Sequence, residues 1–271
     1  MAMKCKICNG SSEPLFEKKV MNKYAVSYYR CTNCFFIQTE EPYWLEESYS
    51  SAITDLDLGL VQRNIEFTNI VSCVINSYFN KRAQFLDFAG GYGLLVRMMR
   101  DEGFNYYRQD KYCANLFTNH FDVTDLPEGT PFEIASAFEV FEHLPDPMQT
   151  IDEMLSYADN VLFSTRLQPG DENELTNWWY IAPEIGQHVA IYHKRTLEEI
   201  AKQKQLFLYT NNKNFHLLTR KKINAPLFRF VTDPRIAKWR HFLAGQGKSL
   251  LQADYDYVKQ KVYGNNNNSA S

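Results

Sequence analysis

Ala83-Gln-Phe-Leu-Asp-Phe88, Ala89-Gly-Gly-Tyr-Gly93 and Leu94-Leu-Val-Arg-Met-Met-Arg-Asp-Glu-Gly103 follow one another without a break. The first is a short apolar run bounded by polar residues, which reads as a buried strand. The second is a glycine turn, and the third is an amphipathic helix ended by glycine. Strand, turn and helix in this order open a βαβ unit. Turn glycines carry no Cβ, so the backbone can approach a nucleotide while the following helix offers its first N–H groups. The spacing argues against a dinucleotide fingerprint, whose third glycine would fall on Val96. It excludes a phosphate-binding P-loop, because no Gly-Lys-Ser/Thr follows.

Working outward, the strand Asn105–Gln109 ends in Asp110, where an acidic side chain can accept hydrogen bonds from ribose hydroxyls. A further strand, Phe132–Phe138, leads into Glu139-Val-Phe-Glu142-His143-Leu144-Pro145, then a helix near Met148–Tyr157 and a strand Asn160–Thr165. Upstream, Leu60, Phe67, Val71, Val74 and Tyr78 recur at three- and four-residue steps and predict a helix over 59–79. Downstream, a helix begins near Arg195 with Thr196 as its N-cap, followed by paired strands Leu206–Tyr209 and Phe215–Thr219. The alternation predicts an α/β, Rossmann-like doubly wound sheet with an antiparallel edge strand. The stretch from Trp178 to His193 is too aromatic for an ordinary solvated connection. Its rings suit a sugar face, a water-excluding lid, or simply a cap on the core.

Four of the six cysteines form Cys5-x-x-Cys8 and Cys31-x-x-Cys34, separated by 22 residues. Two such turns can complete a tetrahedron of thiolates around one structural Zn2+, with no open position for water. A segment this short has too small a core to be stable alone, so the metal would supply much of its folding free energy. Two disulfides or four unrelated thiols are the alternatives. Cys73 and Cys113 read as buried small hydrophobes. The aromatic residues dense in this region, including Phe16, Tyr28, Phe36 and Trp44, serve the ribbon's core and its docking.

The chain has 271 residues, of which 45% are hydrophobic and 23% charged, with 12 glycines and 10 prolines; this excludes collagen-like, low-complexity and wholly disordered classes. No run approaches 18 uninterrupted apolar residues, and the first residues lack an apolar signal core, which predicts a cytoplasmic protein with no membrane insertion. The net charge of -3 is uneven: residues 220–263 hold ten Lys/Arg against three Asp/Glu, leaving 19 against 29 elsewhere. Such a body gives nucleic acid little to bind, and the first 50 residues are neutral, with six residues of each sign.

As a constellation, the two CxxC pairs, Leu86-Asp87-Phe-Ala-Gly-Gly-Tyr-Gly93, Asp110-Lys-Tyr112, Ala137-Phe-Glu-Val-Phe-Glu-His-Leu144 and Gly186-Gln-His188 resemble the class I S-adenosylmethionine-dependent methyltransferases. The resemblance is to bacterial members with an N-terminal zinc ribbon that act on sugars, and it runs from Cys5 to about Arg220. It implies that Asp87, Ala89, Gly90, Gly91 and Gly93 face the methionine part of S-adenosyl-L-methionine, with Ala89 standing where the family has its first glycine. It implies that Asp110 holds the ribose hydroxyls and that Glu139 meets cofactor and substrate together. Only ten residues separate Asp110 from Phe121, too few for the usual helix and strand, so Phe121, Asp122 and Val123 are the candidates for contacting adenine. Tyr49 and Arg63 are placed to close over the cofactor.

Methyl transfer from a sulfonium is an in-line displacement, which needs the nucleophile held roughly 3–3.5 Å from the methyl carbon. A sugar hydroxyl needs a general base, and histidine suits that task best. The resemblance points to His188 as the base, His143 as an orienting or alternative base and Glu142 as support. His120, His193, His216 and His241 read as surface or core residues. The implied partner is a nucleotide-linked or surface-polysaccharide sugar, methylated at oxygen. Transfer to carbon or nitrogen of a sugar, or to an RNA base, is the alternative, and the oligomeric state is open. The expected organisation is a zinc ribbon over 1–40, a helical connection over 41–80 and a cofactor domain over 81–220. A basic helical segment over 221–263, which either meets a diphosphate or is solvated, and a disordered tail over 264–271 complete it.

Overall fold

The protein is described by a computed structural model covering residues 3–49, 57–244 and 247–264. The expected tail, apart from Gly264, lies outside the described residues. In chain order the strands are β1 (Met3–Lys4), β2 (Ser11–Val20), β3 (Tyr24–Cys31), β4 (Ile37–Thr39), β5 (Gln84–Phe88), β6 (Asn105–Gln109), β7 (Ile134–Ala137), β8 (Asn160–Ser164), β9 (Ala190–Ile191), β10 (Phe207–Thr210) and β11 (Phe215–Thr219). The helices are α1 (Leu45–Ser48), α2 (Leu60–Tyr78), α3 (Leu94–Asp101), α4 (Pro147–Tyr157), α5 (Glu172–Leu175), α6 (Lys194–Lys204), α7 (Ala225–Val231), α8 (Pro234–Ala244) and α9 (Leu251–Tyr263). This is the α/β alternation expected from the sequence. Among the described residues no helix is long and apolar enough to cross a membrane.

The chain forms two compact units, one of residues 1–58 with 134–230 and one of residues 59–133 with 231–271. In the first, β1, β2, β3, β4 and β9 make an antiparallel sheet in that order. The hairpin β2–β3 turns through Met21 and Asn22, both in the left-handed region at φ 52° and 53°. Behind this sheet Val20, Val26, Tyr28, Ile37, Trp44 and Ile191 pack into one apolar cluster with Leu175, Tyr180, Ile181 and Val189. The same unit carries β7 parallel to β8, and β11 antiparallel to both β8 and β10. Strands β7, β8 and β11 are buried along their whole length, as strands covered on both faces must be.

In the second unit β5 and β6 run parallel, and α2 packs against α3 and α8. In α2, Phe67, Thr68 and Ile70–Ile75 are buried, so this stretch is covered nearly all round; Phe67, Val71 and Val74 of the expected stripe lie within it, and Leu60 and Tyr78 at its ends are half-buried. Between β6 and Asp122 there is no helix; a single bridge joins Arg108 to Asp122.

Two local expectations change. The N-cap of α6 is His193, not Thr196: Arg195 N–H donates to His193 Nδ1 at 3.1 Å, and the His193 N–H donates to Thr196 Oγ1, at the third helical position, at 3.1 Å. Both residues cap through their side chains, but the chain turns into the helix three residues before Thr196. The strand expected over 132–138 spans 134–137; past its C-terminal end Glu139 takes φ 55° and breaks the extended run.

Candidate functional site

The four N-terminal cysteines converge. Cys5 Sγ lies 3.6 Å from Cys34 Sγ and Cys8 Sγ 3.5 Å from Cys31 Sγ, and all four sulfurs fall within 4.8 Å of one another. These separations exceed a disulfide bond, about 2.05 Å, so the thiols are free. Each CxxC turn aims backbone N–H groups at its first sulfur: Ile7 at Cys5 (3.4 Å), and Asn33 (3.4 Å) and Cys34 (3.5 Å) at Cys31. A tetrahedron with metal–sulfur bonds of about 2.3 Å needs sulfurs about 3.8 Å apart, and the donor set fits that shape.

In the second unit the glycine turn is built as a cradle. Asp87 is buried at the end of β5, and a side chain at Gly90 would stand 2.7 Å from its carboxylate. Gly93 caps α3 at φ 85°, where a Cβ would overlap the Thr118 hydroxyl. Gly91, at φ 54°, faces open space, with nothing within 4 Å of where a Cβ would be. Ala89 takes the left-handed conformation at φ 53° despite its methyl group, at a cost of roughly 1–2 kcal/mol. Asp110 is more occupied than a free ribose acceptor: Oδ1 accepts from the N–H of Tyr112 (2.8 Å) and Cys113 (2.7 Å), and Oδ2 from Gly91 N–H (2.9 Å). One carboxylate thus ties the glycine turn to the chain leaving β6. Phe121 is buried under the Arg100 guanidinium, 3.9 Å from ring centroid to Cζ. Both carboxylate oxygens of Asp122 are engaged, by Arg108 at 2.7 Å and Asn115 at 2.9 Å. Val123 begins a single 3-10 turn capped by Asp122. Arg63 lies in the first turn of α2, beside Gly59.

The first unit brings Glu142, His143 and His188 together, their ligand atoms within 4.8 Å of one another. The join is a backbone bond: Val189 N–H donates to the Glu142 carbonyl at 2.9 Å. Gly186, at φ 71°, lets the chain pass against Val20 and Met21, where a Cβ would meet Met21 Cγ at 2.8 Å. Trp44 Nε1–H donates to the Gly186 carbonyl at 2.8 Å, and Gln187 to the Ser48 carbonyl at 2.7 Å. The two imidazoles meet edge to face, 4.9 Å between centroids. His188 Nδ1 lies 2.6 Å from the Tyr180 carbonyl. A carbonyl only accepts, so Nδ1 carries the proton and Nε2 keeps its lone pair. His143 Nδ1 pairs with the Tyr49 hydroxyl at 2.9 Å.

Burial sets the charges. It pushes His188 down to about 4, against a smaller upward pull from the Tyr180 carbonyl. His143 sits well below the usual imidazole range, through burial and then the neighbouring His188. Both rings are neutral at pH 7. Glu142 is fully buried, neither carboxyl oxygen has a hydrogen bond of ordinary geometry, and burial, then the Glu139 charge, raises it to about 8. Glu139 is exposed; its N–H donates to Ser164 Oγ, which donates back to Oε1, each at 2.8 Å.

Two residues of these sites carried no signal in the sequence. Arg108, buried in β6, donates through Nε to the Gly91 carbonyl at 2.6 Å, through Nη1 to Asp122 and through Nη2 to the Cys113 carbonyl. Tyr180 was one ring among many in an aromatic loop, yet its carbonyl orients His188 and its ring lies 4.8 Å from that imidazole. Of the other histidines, His216 and His193 have structural places: His216 lies buried between Thr210 Oγ1 and the Thr165 carbonyl, and His193 caps α6.

The profile of the family described as "Methyltransferase domain" matches residues 67–209, over half of the chain. The chain belongs to this methyltransferase-domain family. No curated protein matches it. Among solved structures, the methyltransferase-domain chain is similar to OxaC in complex with SAH and oxaline, with 12% identity, a TM-score of 0.41, and coverage of 58% of this chain and 47% of that one. It is also similar to the plantazolicin methyltransferase BpumL in complex with SAH, with 10% identity, a TM-score of 0.45, and coverage of 67% and 95%. A third is the O-methyltransferase family 2 protein from Planctomyces limnophilus in complex with apigenin, with 13% identity, a TM-score of 0.45, and 65% of each chain covered. The match spans less than half the length of the OxaC chain.

Proposed function

We propose that this methyltransferase-domain protein transfers a methyl group from S-adenosyl-L-methionine to a hydroxyl of a sugar, the sugar being nucleotide-linked or part of a surface polysaccharide. The observation that carries the acceptor half of this reading is the neutral imidazole of His188, tautomerically fixed by Tyr180 so that Nε2 can take a proton. The cofactor supplies an electrophilic methyl on a sulfonium. Asp87 and the open face of Gly91 hold its methionine part, and Asp110 with the Gly91 N–H shapes the turn around it. His188 accepts the hydroxyl proton as the oxygen attacks. A base near 4 is weak for a free alcohol, so the proton moves as the new bond forms and not before it. His143, steadied by Tyr49, orients the acceptor or serves as the alternative base. Glu142 supports: its buried carboxyl, kept neutral by that burial, stands within 4.8 Å of both imidazoles and adds no charge to the pocket.

The four cysteines hold one structural zinc ion, which fixes the β1–β2 and β3–β4 turns. With all four positions taken by sulfur it activates no water.

The test is incubation of the full chain with methyl-labelled S-adenosylmethionine and a panel of saccharides and nucleotide sugars, with the new methyl located by mass spectrometry and NMR. Label on a sugar oxygen is expected. Label on a sugar carbon or nitrogen would move the reading to the corresponding transfer, and label on RNA alone would overturn the sugar acceptor.

A further inference from the structure

Beside the histidine cluster, the first unit carries a second concavity. The chain after α5 and β2 line a half-open concavity of about 290 Å3, between Lys18, Asn177, Trp178, Trp179, Pro183 and Glu184. Glu142, His143 and His188 do not line it. Trp179 is 66% exposed, although Tyr180 beside it joins the apolar cluster and Trp178 packs against that cluster. The exposed indole is nevertheless held. The Arg166 guanidinium lies 5.2 Å over its ring, and Arg166 N–H donates to the Tyr180 hydroxyl at 3.1 Å.

A positioned aromatic face bordered by an amide, an ammonium and a carboxylate matches a pyranose ring, with its apolar C–H face and its rim of hydroxyls that both donate and accept. It matches a phosphate poorly, because Glu184 stands among the lining groups with Lys18, while the Arg166 guanidinium is spent on the Trp179 ring and does not line the cavity. The cavity is also joined to the proposed chemistry. The Trp179 ring lies 5.5 Å from the Tyr180 ring, the Tyr180 ring lies 4.8 Å from His188, and the Tyr180 carbonyl holds His188 Nδ1.

We propose that this cavity is a saccharide subsite that binds a neutral sugar residue next to the one that is methylated. The acceptor is then an oligosaccharide or glycan chain and not a nucleotide monosaccharide. This rests on the reading of the acceptor as a sugar and narrows it. Energy gained on the neighbouring residue holds the acceptor where remote binding can position the reacting hydroxyl.

The experiment titrates the full zinc-loaded chain with neutral oligosaccharides, monosaccharides and S-adenosylhomocysteine, following tryptophan fluorescence, and repeats the titration on Trp179→Ala and Trp179→Phe. Oligosaccharides should perturb the emission. Trp179→Ala should weaken their binding about tenfold or more, while Trp179→Phe stays within about threefold. The melting temperature of Trp179→Ala should be unchanged, since the side chain is exposed. In turnover, Trp179→Ala should raise KM for an oligosaccharide with little change in kcat. Unchanged oligosaccharide affinity in Trp179→Ala, or a fluorescence response to S-adenosylhomocysteine and none to saccharides, would overturn the subsite. Methylation of a nucleotide sugar with no dependence on Trp179 would overturn the subsite and leave the sugar reading intact. Saccharide binding through Trp179 with no methyl transfer to any sugar would uphold saccharide binding in this cavity but overturn its place beside a methylated residue, together with the proposed function.

Discussion

His188 Nδ1 sits 2.6 Å from the backbone carbonyl of Tyr180, and that bond decides which imidazole nitrogen can accept a proton. Replacing His188 by Gln keeps a polar side chain of similar reach but removes the proposed base. Turnover should fall by about 10²–10⁴, while the dissociation constant for S-adenosylhomocysteine, measured by calorimetry, stays within about threefold of the parent. Loss of cofactor affinity in step with turnover would remove His188 from the base role.

Glu142 makes a prediction about stability with a definite sign. Its carboxyl is raised to about 8 in the folded chain by burial, then by the Glu139 charge, against an unfolded value of about 4.3. Between these limits the folded protein holds a proton that the unfolded chain releases, so this group lowers stability as pH rises through the window. Glu142→Gln lacks the titration. The variant should gain on the parent from about pH 4.5 to pH 8, by on the order of 4 kcal/mol at the upper end. Urea unfolding of both proteins at pH 5 and pH 8.5 gives the difference; a gap that stays constant with pH would show that Glu142 ionises normally.

The parts of the fold that were legible are those written in local pattern. The run Phe85–Phe88, the glycines at 90, 91 and 93 and the stripe on α2 each act within one turn or one strand, and each stands where it was expected. Cys5, Cys8, Cys31 and Cys34 were legible because a tight turn presents both sulfurs of a CxxC pair together. The histidine cluster was legible only as a set of residues. Its assembly depends on Val189 N–H reaching the Glu142 carbonyl and on β9 pairing with β4, two contacts far apart in sequence and carrying no composition of their own. The downward shifts of His143 and His188 follow from burial, which periodicity does not report for a loop. Arg108 is not legible in the sequence, because an arginine inside a strand reads as an exposed residue, and only the fold brings Asp122, Gly91 and Cys113 around it.

Gly91 separates the fold of the glycine turn from its use. A methyl group there meets nothing in the protein, but the backbone stands at φ 54°. Gly91→Ala should therefore fold with a loss of only about 1–2 kcal/mol, while the added Cβ intrudes on the space assigned to the cofactor. Calorimetry should show S-adenosylhomocysteine binding weakened about tenfold or more. Undiminished affinity in a folded Gly91→Ala protein would place the cofactor elsewhere.

The cysteine cluster predicts one zinc ion per chain by elemental analysis. Chelation, or Cys8→Ser, should lower the melting temperature by at least about 10 °C, because the hairpin β2–β3 then loses the cross-link that joins its ends to the first turn. Added Zn2+ should restore the parent after chelation. Full activity and an unchanged melting temperature in the metal-free protein would reduce the cluster to four thiols.

Asp254 tests whether the basic C-terminal segment is held by its few acidic residues. It is buried on α9, and its carboxylate accepts from Arg97 Nη1 at 2.9 Å, Arg100 Nε at 2.9 Å and Arg100 Nη2 at 2.6 Å. Arg100 is buried as well, with Asn105 Oδ1 and the Tyr106 carbonyl as its other partners. Removing one side of a buried ion pair leaves the other charge unpaired in a low-dielectric setting, at a cost of about 3–5 kcal/mol. Asp254→Ala should lower the urea midpoint accordingly. Lys261, also on α9, makes a more exposed pair to Asp125 of the turn after Asp122; Lys261→Ala should leave the midpoint unchanged, as exposed pairs contribute little. Pairing Asp254→Ala with Arg100→Met should cost less than Asp254→Ala alone, because the stranded charge is gone. If the double variant were instead as unstable as the two single losses added together, Asp254 would be acting through packing and not through its charge.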